Sequence, residues 1–429
     1  MIPIETESGK KFTPVLLGSD MNVYGMARAF HELYGGVVDA YAGAQLAPTR
    51  YTEIINLTIY PGFAEDPVFI KKMREIAKKY ENHDEPIILI GCGDGYAELI
   101  SQHMEELSKT FICPYVGYDL LKSLNNKESF YKVADEHNLP HPLTKIITKA
   151  AYEDSDKSGL EVPFDFPVAL KPANSVEWLD INFEGRKKAF TIHSNEEYMD
   201  IVSKIYDNGY NSDLILQDFI PGDDSNMRVL NAYVDKENHV KMMCLGHPIL
   251  EDPTPQSIGN YVAIVPEFNQ DVYDLVQKFL EDIEFTGFAN FDMKYDARDK
   301  TFKFFEINLR QGRSSFFVTL NGYNLAKYVV EDYIEDSLDK QPTVYANKNK
   351  AQHKLWLGIP VKVFRKYAAD NEASEYAEEL IKQDRTGTTV FYDKDKSFKR
   401  WLLMTYMFHN YVKRFDKYFQ ANKGRDFKK

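Results

Sequence analysis

Residues 1–120 alternate between short apolar runs and amphipathic segments, and this alternation constrains the fold more than any other feature. The runs typical of buried strands are TPVLLGS, GVVDAYAG, IILIGCG and TFICPYVG, and the helical patterns are MNVYGMARAFHELYGG, residues 67–80 and YAELISQHMEEL. Strands that alternate with helices indicate a parallel sheet covered by helices on both faces. The sequence therefore predicts a doubly wound α/β domain at the amino terminus.

A glycine-rich turn, GCGDG, follows the run IILI and raises the question of a cofactor loop. A dinucleotide fingerprint requires a further glycine where this chain has Tyr96. A methyltransferase loop is closer, but the acidic residue expected two places before its first glycine is Leu89 here. The simplest interpretation is a tight strand-to-helix turn, and a substrate contact by Asp94 is the remaining alternative.

Two lysines further along the chain occupy positions suited to phosphate binding. Lys127 begins a helical segment that ends at LPHP, and the amino-terminal end of a helix attracts anions. Lys171 ends the apolar strand in FPVALKP, a position that directs an ammonium group into a cleft at the end of a sheet. Each lysine taken alone is more typical of a solvated surface.

The stretch LILQDFIPGDD combines an apolar strand with a Pro-Gly turn and two acidic residues. An extended backbone offers a carbonyl and an N–H group to a purine edge, and a carboxylate a few residues later can bind two ribose hydroxyls. Read alone, the stretch is a hairpin with a turn.

Two strands, GFANFDMKYD and TFKFFEINLR, are predicted to form a hairpin around the polar turn ARDK. Residues two apart share a face of a strand, so Glu306 and Asn308 point the same way, and Asp292 joins them if the strands pair. Three oxygen ligands of this kind suit Mg²⁺. A solvated polar face is the alternative, but the strand is crowded with phenylalanine, and a buried carboxylate requires a cation or a hydrogen-bond donor.

Taken in this order, the stretches resemble the ATP-grasp superfamily over residues 110–335, and the preceding α/β domain looks like the domain that usually comes before the grasp fold. FEINLR resembles the E-x-N-x-R signature of that family and is the most specific single motif. The resemblance implies ATP-phosphate contacts by Lys127 and Lys171, an adenine-edge hinge at Gln217 and Ile220, a ribose carboxylate at Asp224, and magnesium ligands at Asp292, Glu306 and Asn308.

The loop after Lys171 departs from the family pattern. NSVEWLDINFEGRKK has one glycine where relatives have a glycine-rich flap over the phosphates. The expected substitutes for that flap are Arg186, Lys187 or Lys188.

Within the superfamily, the layout is most similar to the D-aspartate ligases of Gram-positive bacteria. This narrower resemblance rests on VLLGSDMNVYGMARAF, LIGCGDGYAELI, EINLRQGRSSFF and a helical, basic carboxyl-terminal region. It implies an enzyme that uses ATP and two Mg²⁺ ions to activate a carboxylate as an acyl phosphate, which an amine then attacks. The expected substrates are D-aspartate and the lysine side chain of a peptidoglycan precursor. The expected catalytic arginines are Arg310 and Arg313, which hold the acyl phosphate and the second carboxylate, and Arg228 in the same cleft.

The predicted architecture has three parts. Residues 1–122 form a doubly wound α/β pre-grasp domain, residues 123–340 form the ATP-grasp domain with the nucleotide and metal site, and residues 341–429 form a helical, basic carboxyl-terminal region.

Three alternatives to the ligase remain: an ATP-grasp enzyme with another acceptor, such as a dipeptide ligase or a carboxylase; an S-adenosylmethionine-dependent methyltransferase; and a catalytically silent grasp scaffold.

The amino-acid composition restricts the cellular location and the binding partners that the sequence predicts. The three cysteines form no CxxC pair, which suits a reducing cytoplasm. The net charge of −13 disfavours nucleic-acid binding, although residues 394–429 contain 11 Lys/Arg against 3 Asp/Glu. That segment is predicted to be an amphipathic helix packed on the body, or alternatively a contact with an acidic substrate or with an anionic membrane at its inner face. No signal peptide and no membrane-spanning apolar run is apparent in the sequence.

Overall fold

The computed structural model describes residues 3–174, 177–187, 189–222, 224–255, 257, 259–313 and 315–423, without the side chains of Leu179, Asp224 and residues 420–423. The amino-terminal part contains, in chain order, β1 Ile4–Glu5, β2 Lys11–Leu17, α1 Met21–Tyr34, β3 Val38–Ala42, β4 Ile55–Ile59, α2 Val68–Tyr80, β5 Ile87–Gly91, α3 Asp94–Gln102 and α4 Met104–Leu107.

These elements form the predicted doubly wound domain. The parallel strands lie in the order β4-β3-β2-β5, and β1 pairs with β2 in the antiparallel direction. Apolar residues of α1 pack on one face of the sheet, and those of α2 and α3 pack on the other. The strand predicted at TFICPYVG is wrong, because Ile112 makes only an isolated bridge to Ile88 and Pro114, which has no N–H group, follows two residues later.

A smaller antiparallel sheet comes next in the chain. Its region contains α5 Tyr118–Asn125, α6 Lys127–Glu136, β6 Thr144–Ile147, α7 Lys149–Glu153, β7 Val168–Pro172, α8 Glu177–Asp180, β8 Phe190–Ile192, α9 Asn195–Asp207 and β9 Leu214–Asp218. The strand order is β6-β9-β7-β8. This sheet has its own apolar cluster, which includes Trp178 and Tyr198, so it forms a unit beside the rest of the chain.

The large sheet contains β10 Met227–Val234, β11 Val240–Glu251, β12 Tyr261–Glu267, α10 Gln270–Asp282, β13 Gly287–Asp296 and β14 Thr301–Asn308. The strand order is β14-β13-β10-β11-β12, and the predicted hairpin of β13 and β14 is confirmed. Residues of α6 and α10 cover one face, while α1 of the amino-terminal domain packs against the other.

The carboxyl-terminal region contains α11 Phe316–Leu320, α12 Leu325–Tyr333, β15 Val344–Tyr345, β16 Leu355–Leu357, α13 Val361–Tyr367, α14 Glu372–Lys382, β17 Thr386–Gly387 and α15 Phe398–Lys423. It is therefore not only helical: β16 extends the large sheet beyond β12, β17 pairs with β16, and β15 pairs with β11. These short strands share a sheet with the region before them, so the boundary at 340 stays a prediction. Among the described residues, no helix has the length and apolar character needed to cross a membrane.

A buried ion pair attaches the start of α15 to the amino-terminal domain. Asp395 accepts hydrogen bonds from the hydroxyls of Tyr24 (2.9 Å) and Thr52 (2.7 Å) and from the amide of Glu53 (3.0 Å). Arg400 lies 3.2 Å from Asp395 and 3.7 Å over the Tyr24 ring. Both side chains are almost fully buried and have lost their contacts with water. The opposite charge and the hydrogen bonds must replace those contacts.

We expect Asp395→Ala to lower the free energy of unfolding by about 3–5 kcal/mol, because it leaves the buried charge of Arg400 without its partner. Thermal unfolding followed by circular dichroism measures the effect. Asp393→Ala, at an exposed position two residues earlier, is the matched control and should leave the melting temperature unchanged. Equal melting temperatures for the two variants would contradict the assignment.

Candidate active site

Two acidic residues and an asparagine meet on adjacent strands of the large sheet. β13 and β14 pair so that Asp292 lies opposite Glu306 and Asn290 lies opposite Asn308. Opposed residues of an antiparallel pair share a face, and Asn308 is close enough to Asp292 to lower its pKa. The structure therefore brings together the three side chains predicted as magnesium ligands.

The electrostatics of this group suit a bound cation. Burial, followed by the negative charge of Glu306, raises the pKa of Asp292 to about 7. A nearby cation would restore the ionised form of Asp292. Among the described residues there is no cluster of three or more His, Cys, Asp or Glu side chains arranged for a metal, and this set instead offers two carboxylates and an amide. Hard oxygen donors of this kind fit Mg²⁺.

Two lysines face the carboxylates from other elements. Lys127 is the first residue of α6, and the preceding residue, Asn126, caps the helix by accepting a hydrogen bond from the amide of Ser129. The Nζ atom of Lys127 lies 3.8 Å from Glu306 Oε2. Lys171 lies on β7 of the small sheet. Burial, followed by the positive charge of Lys127, lowers the pKa of Lys171 to about 7, while Glu306 opposes this shift. Two ammonium groups that repel each other in a cleft form a site for an anion such as a phosphate group.

The proposed adenine hinge lies where β9 ends. The side chain of Gln217 is buried and donates to the hydroxyls of Tyr131 (2.8 Å) and Thr144 (2.9 Å), so it helps to hold the small sheet against α6. The chain then leaves the sheet, and Ile220 is buried. Asp224 begins a 3₁₀ turn, Asp224–Asn226, but its side chain lies outside the described part of the structure, as does the whole of Lys188.

The GCGDG turn is explained by packing and by one ion pair. A methyl group on Gly91 would lie 2.9 Å from the amide nitrogen of Ala97, so the close contact between β5 and α3 requires glycine there. Asp94, at the start of α3, contacts Arg310 through both oxygens, at 2.9 Å each. The turn interpretation is confirmed, and the Asp94 side chain holds Arg310 rather than standing free. Arg310 also donates to Asn308 at 3.4 Å, next to the carboxylate pair.

Arg313 lies on the same loop, in a narrow pocket between the amino-terminal domain and α15. It donates to the hydroxyl of Tyr411 at 3.3 Å, and Met21 and Tyr261 also line the pocket. Asp20, which precedes Met21, caps α1 through hydrogen bonds from two backbone amides. Burial raises the pKa of Asp20, and the positive charges of Arg313 and Arg310 oppose this shift.

Two other cationic residues from the sequence prediction are engaged elsewhere. Arg228 pairs with Met293, one residue beyond Asp292, so its side chain points to the opposite face of the sheet. There its Nε atom lies 2.8 Å from Glu267. Arg186 donates to the carbonyl of Trp178 and lies 5.2 Å over that ring, which places it against the small-sheet core.

Sequence reasoning missed several residues of the cleft. Tyr261 is close enough to Asp292 to lower its pKa, although the two are distant in the sequence, and Tyr411 reaches Arg313 from the last helix. Asp20 is part of a capping pattern, which gives no indication of a role in a cleft. Only the pairing of β12 with the sheet and the docking of α15 bring these residues together.

Comparison with known proteins identifies the family. The chain is 58% identical over 425 residues to the D-aspartate ligase of Enterococcus faecium, a match that covers 99% of this chain and 100% of the relative. The chain belongs to the D-aspartate ligase family. A scan against protein-family models matches none of them.

Solved structures with the same fold are enzymes of the ATP-grasp superfamily. One is the biotin carboxylase domain of the Hydrogenobacter thermophilus 2-oxoglutarate carboxylase in complex with MgADP, ADP and bicarbonate (TM-score 0.56, 13% identity, 83% of this chain and 74% of that chain). Another is the L-amino acid ligase of Bacillus licheniformis (TM-score 0.51, 13% identity, 77% of this chain and 74% of that chain). Both likenesses concern the fold alone.

Membership of the D-aspartate ligase family confirms the predicted class of enzyme. The chain is an ATP-dependent ligase that forms carbon–nitrogen bonds, uses ATP with Mg²⁺ and releases ADP and phosphate. The methyltransferase and the silent scaffold are thereby set aside.

We expect Glu306→Gln to fold normally and to lower the rate of ATP turnover by roughly 10²–10³-fold, the scale seen when one electrostatic contact to the reacting group is lost. The melting temperature in the absence of magnesium should stay close to that of the wild type, because the substitution removes the repulsion between Glu306 and Asp292. Phosphate release at a series of magnesium concentrations measures the first effect.

Asp299→Asn, in the exposed turn of the same hairpin, is the control and should keep wild-type turnover. If Glu306→Gln retains both the wild-type rate and the wild-type magnesium requirement, Glu306 is not a ligand.

Proposed function

We propose that the enzyme joins the β-carboxylate of D-aspartate to the lysine side-chain amine of a peptidoglycan precursor stem peptide. The E. faecium relative is a D-aspartate ligase, which supports the amino acid, and the resemblance of the whole layout supports the acceptor. The single observation that carries the proposal is the charge pattern at the end of the cleft, where the positive charges of Arg310 and Arg313 act on the half-buried carboxylate of Asp20.

This pattern matches the three charges of aspartate. One carboxylate must lie at the phosphates to be activated, so Arg310, beside the magnesium ligand set, is its proposed partner. The α-carboxylate requires a second cation, for which Arg313 is the candidate. The α-ammonium group requires an anion, and Asp20 is the acid of the amino-terminal domain on which the charges of both arginines act.

The proposed reaction is a phosphoryl transfer followed by an acyl transfer. The β-carboxylate oxygen attacks the γ-phosphorus of ATP, ADP leaves, and the acyl phosphate forms. The lysine amine then attacks the acyl carbon, the carbon–oxygen bond to phosphate breaks, and the amine loses a proton to give an amide and inorganic phosphate. Mg²⁺ held by Asp292, Glu306 and Asn308 would neutralise phosphate charge during these steps.

The residues of the chain position and stabilise charge. Lys127 and Lys171 are the proposed contacts of the phosphates, since their ammonium groups face the carboxylate pair across the cleft. Arg310 stabilises the charge on the acyl phosphate, and Asp94 keeps the guanidinium group of Arg310 in place through its two contacts. Gln217, Ile220 and Asp224 remain the proposed nucleoside contacts. Arg228 lies on the other face of the sheet, so its proposed role is indirect: it stabilises the strands that it contacts.

ATP and peptidoglycan precursors are made in the cytoplasm, so we place the reaction there. Contact of residues 394–429 with the inner face of the membrane is an independent proposal that rests on a different surface.

The rival within the fold is a ligase or carboxylase with another substrate. We expect D-aspartate to stimulate phosphate release from Mg-ATP in the presence of a lysine-containing stem peptide, and we expect L-aspartate, D-alanine and bicarbonate to give at most a few per cent of that rate. Phosphate release measured with each of these compounds, together with mass spectrometry of the product, identifies the substrate. Turnover with L-amino acids or with bicarbonate and none with D-aspartate would reject the proposal.

The role of Asp20 has its own test. Asparagine caps helices as well as aspartate does, so Asp20→Asn should fold normally and lose only the negative charge. We expect kcat/KM for D-aspartate to fall roughly 10–100-fold, the scale of a hydrogen bond to a charged group. Succinate, which has both carboxylates and no ammonium group, should react equally with the wild type and the variant. An unchanged preference for D-aspartate over succinate in the variant would exclude Asp20 as the ammonium contact.

A further inference from the structure

The last helix, α15, presents two different faces. Met404, Tyr411 and Phe415 are buried against the body of the protein. Phe398, Trp401, Leu402 and Tyr406 recur at helical spacing on the other side, and their exposed fractions are 68, 52, 49 and 65%. The rings of Phe398 and Trp401 stack with their centroids 5.8 Å apart. The packed-helix interpretation is therefore correct for one face only, and the other face is an apolar surface without a partner among the described residues.

This aromatic face is the largest concentration of exposed apolar side chains in the described chain. The other large apolar residues that are exposed are Leu33, Val37, Leu46, Tyr51 and Leu143. Two of them, Leu46 and Tyr51, flank the segment whose Pro48 carbonyl accepts a hydrogen bond from Arg400, so they lie beside the start of α15. Isolated exposed apolar residues are common, but a contiguous patch indicates an interaction site.

Positive charge surrounds the aromatic face. Lys394, Lys396 and Lys399 are exposed next to Phe398, and Lys413 and Lys417 follow farther along the same exposed side at helical spacing. Among the described residues, none of these five lysines lies within 4.0 Å of a carboxylate, whereas Asp416, the acid on that part of the helix, is paired with Lys366. The basic character is notable because the whole chain has a net charge of −13.

We propose that the exposed face of α15 docks on an anionic membrane surface. Stacked aromatic rings and a leucine suit insertion at the boundary between lipid headgroups and acyl chains, and unpaired lysines on the same side suit anionic headgroups. A nucleic acid would use the lysines but would leave Leu402 in water, and an acidic protein would be repelled by the net charge of the whole chain, which is −13. The face lies on the side of α15 opposite to Tyr411, whose hydroxyl contacts Arg313, so docking leaves the pocket side of the helix free.

The chain carries its own reporter for this contact. Trp178 and Trp356 are buried, with 4 and 3% of their surfaces exposed, so Trp401 is the tryptophan whose surroundings change when the face meets lipid. We expect vesicles of phosphatidylglycerol and phosphatidylcholine in equal amounts to shift the tryptophan emission to shorter wavelength and to pull the full-length protein down on sedimentation. Pure phosphatidylcholine vesicles should bind about tenfold or more weakly, and 0.5 M salt should have a similar effect.

Two variants separate the apolar and the electrostatic contributions. Leu402→Ser and Lys399→Glu keep Trp401, and each should weaken binding to the anionic vesicles about tenfold. Their matched controls are Leu143→Ser and Lys109→Glu, at exposed positions in other parts of the chain, which should bind as the wild type does. All four variants should keep the wild-type melting temperature and the wild-type rate of phosphate release with soluble substrates, which separates this test from that of the proposed substrate.

The proposal is overturned if anionic vesicles neither shift the emission nor sediment the protein, or if the α15 variants and their controls bind equally. Equal binding to phosphatidylcholine alone would also overturn it, because the lysines would then have no role. Tight binding of an oligonucleotide without vesicle binding would assign the surface to nucleic acid instead.

Discussion

Two like-charged pairs facing each other across one cleft are the interaction on which the site depends. Asp292 and Glu306 lie together on the large sheet, and Lys127 and Lys171 lie together on α6 and the small sheet. Burial, followed by repulsion within each pair, raises the pKa of Asp292 and lowers that of Lys171. A divalent cation and a chain of phosphates satisfy both pairs at once. Binding of Mg-ATP between the two pairs, as proposed, would relieve this repulsion.

The remaining parts of the chain complete this cleft. The amino-terminal domain supplies Asp94, whose contacts fix Arg310, and the last helix supplies Tyr411, which contacts Arg313. The buried pair of Asp395 and Arg400 attaches α15 to the amino-terminal domain. The pocket beside Arg313 consequently has walls from several distant parts of the sequence, and one side of α15 closes that pocket while the other side stays exposed.

Several features followed from local chemistry alone. The alternation of apolar runs predicted the doubly wound domain, and the polar turn between two phenylalanine-rich strands predicted the hairpin that pairs Asp292 with Glu306. Local signals failed where long-range pairing decides. TFICPYVG has the composition of a strand but joins the sheet only at Ile112, and the short strands β15 to β17 have too few residues to give a pattern of their own. Arg228 follows a turn near the nucleotide site, yet its position on β10 directs it to Glu267 on the other face.

The sequence by itself determined the chemistry of the proposed nucleotide and metal site, because those side chains lie within short motifs whose spacing sets the face of a strand or the start of a helix. FEINLR places Glu306 and Asn308 on one side of β14 whatever surrounds it. Only the tertiary structure decided the proposed substrate end of the cleft. Asp20, Asp94, Arg313 and Tyr411 come from segments separated by tens to hundreds of residues, and their proximity depends on how the domains and α15 pack. Charges so far apart in the chain acquire a shared function only when burial brings them into one low-dielectric space.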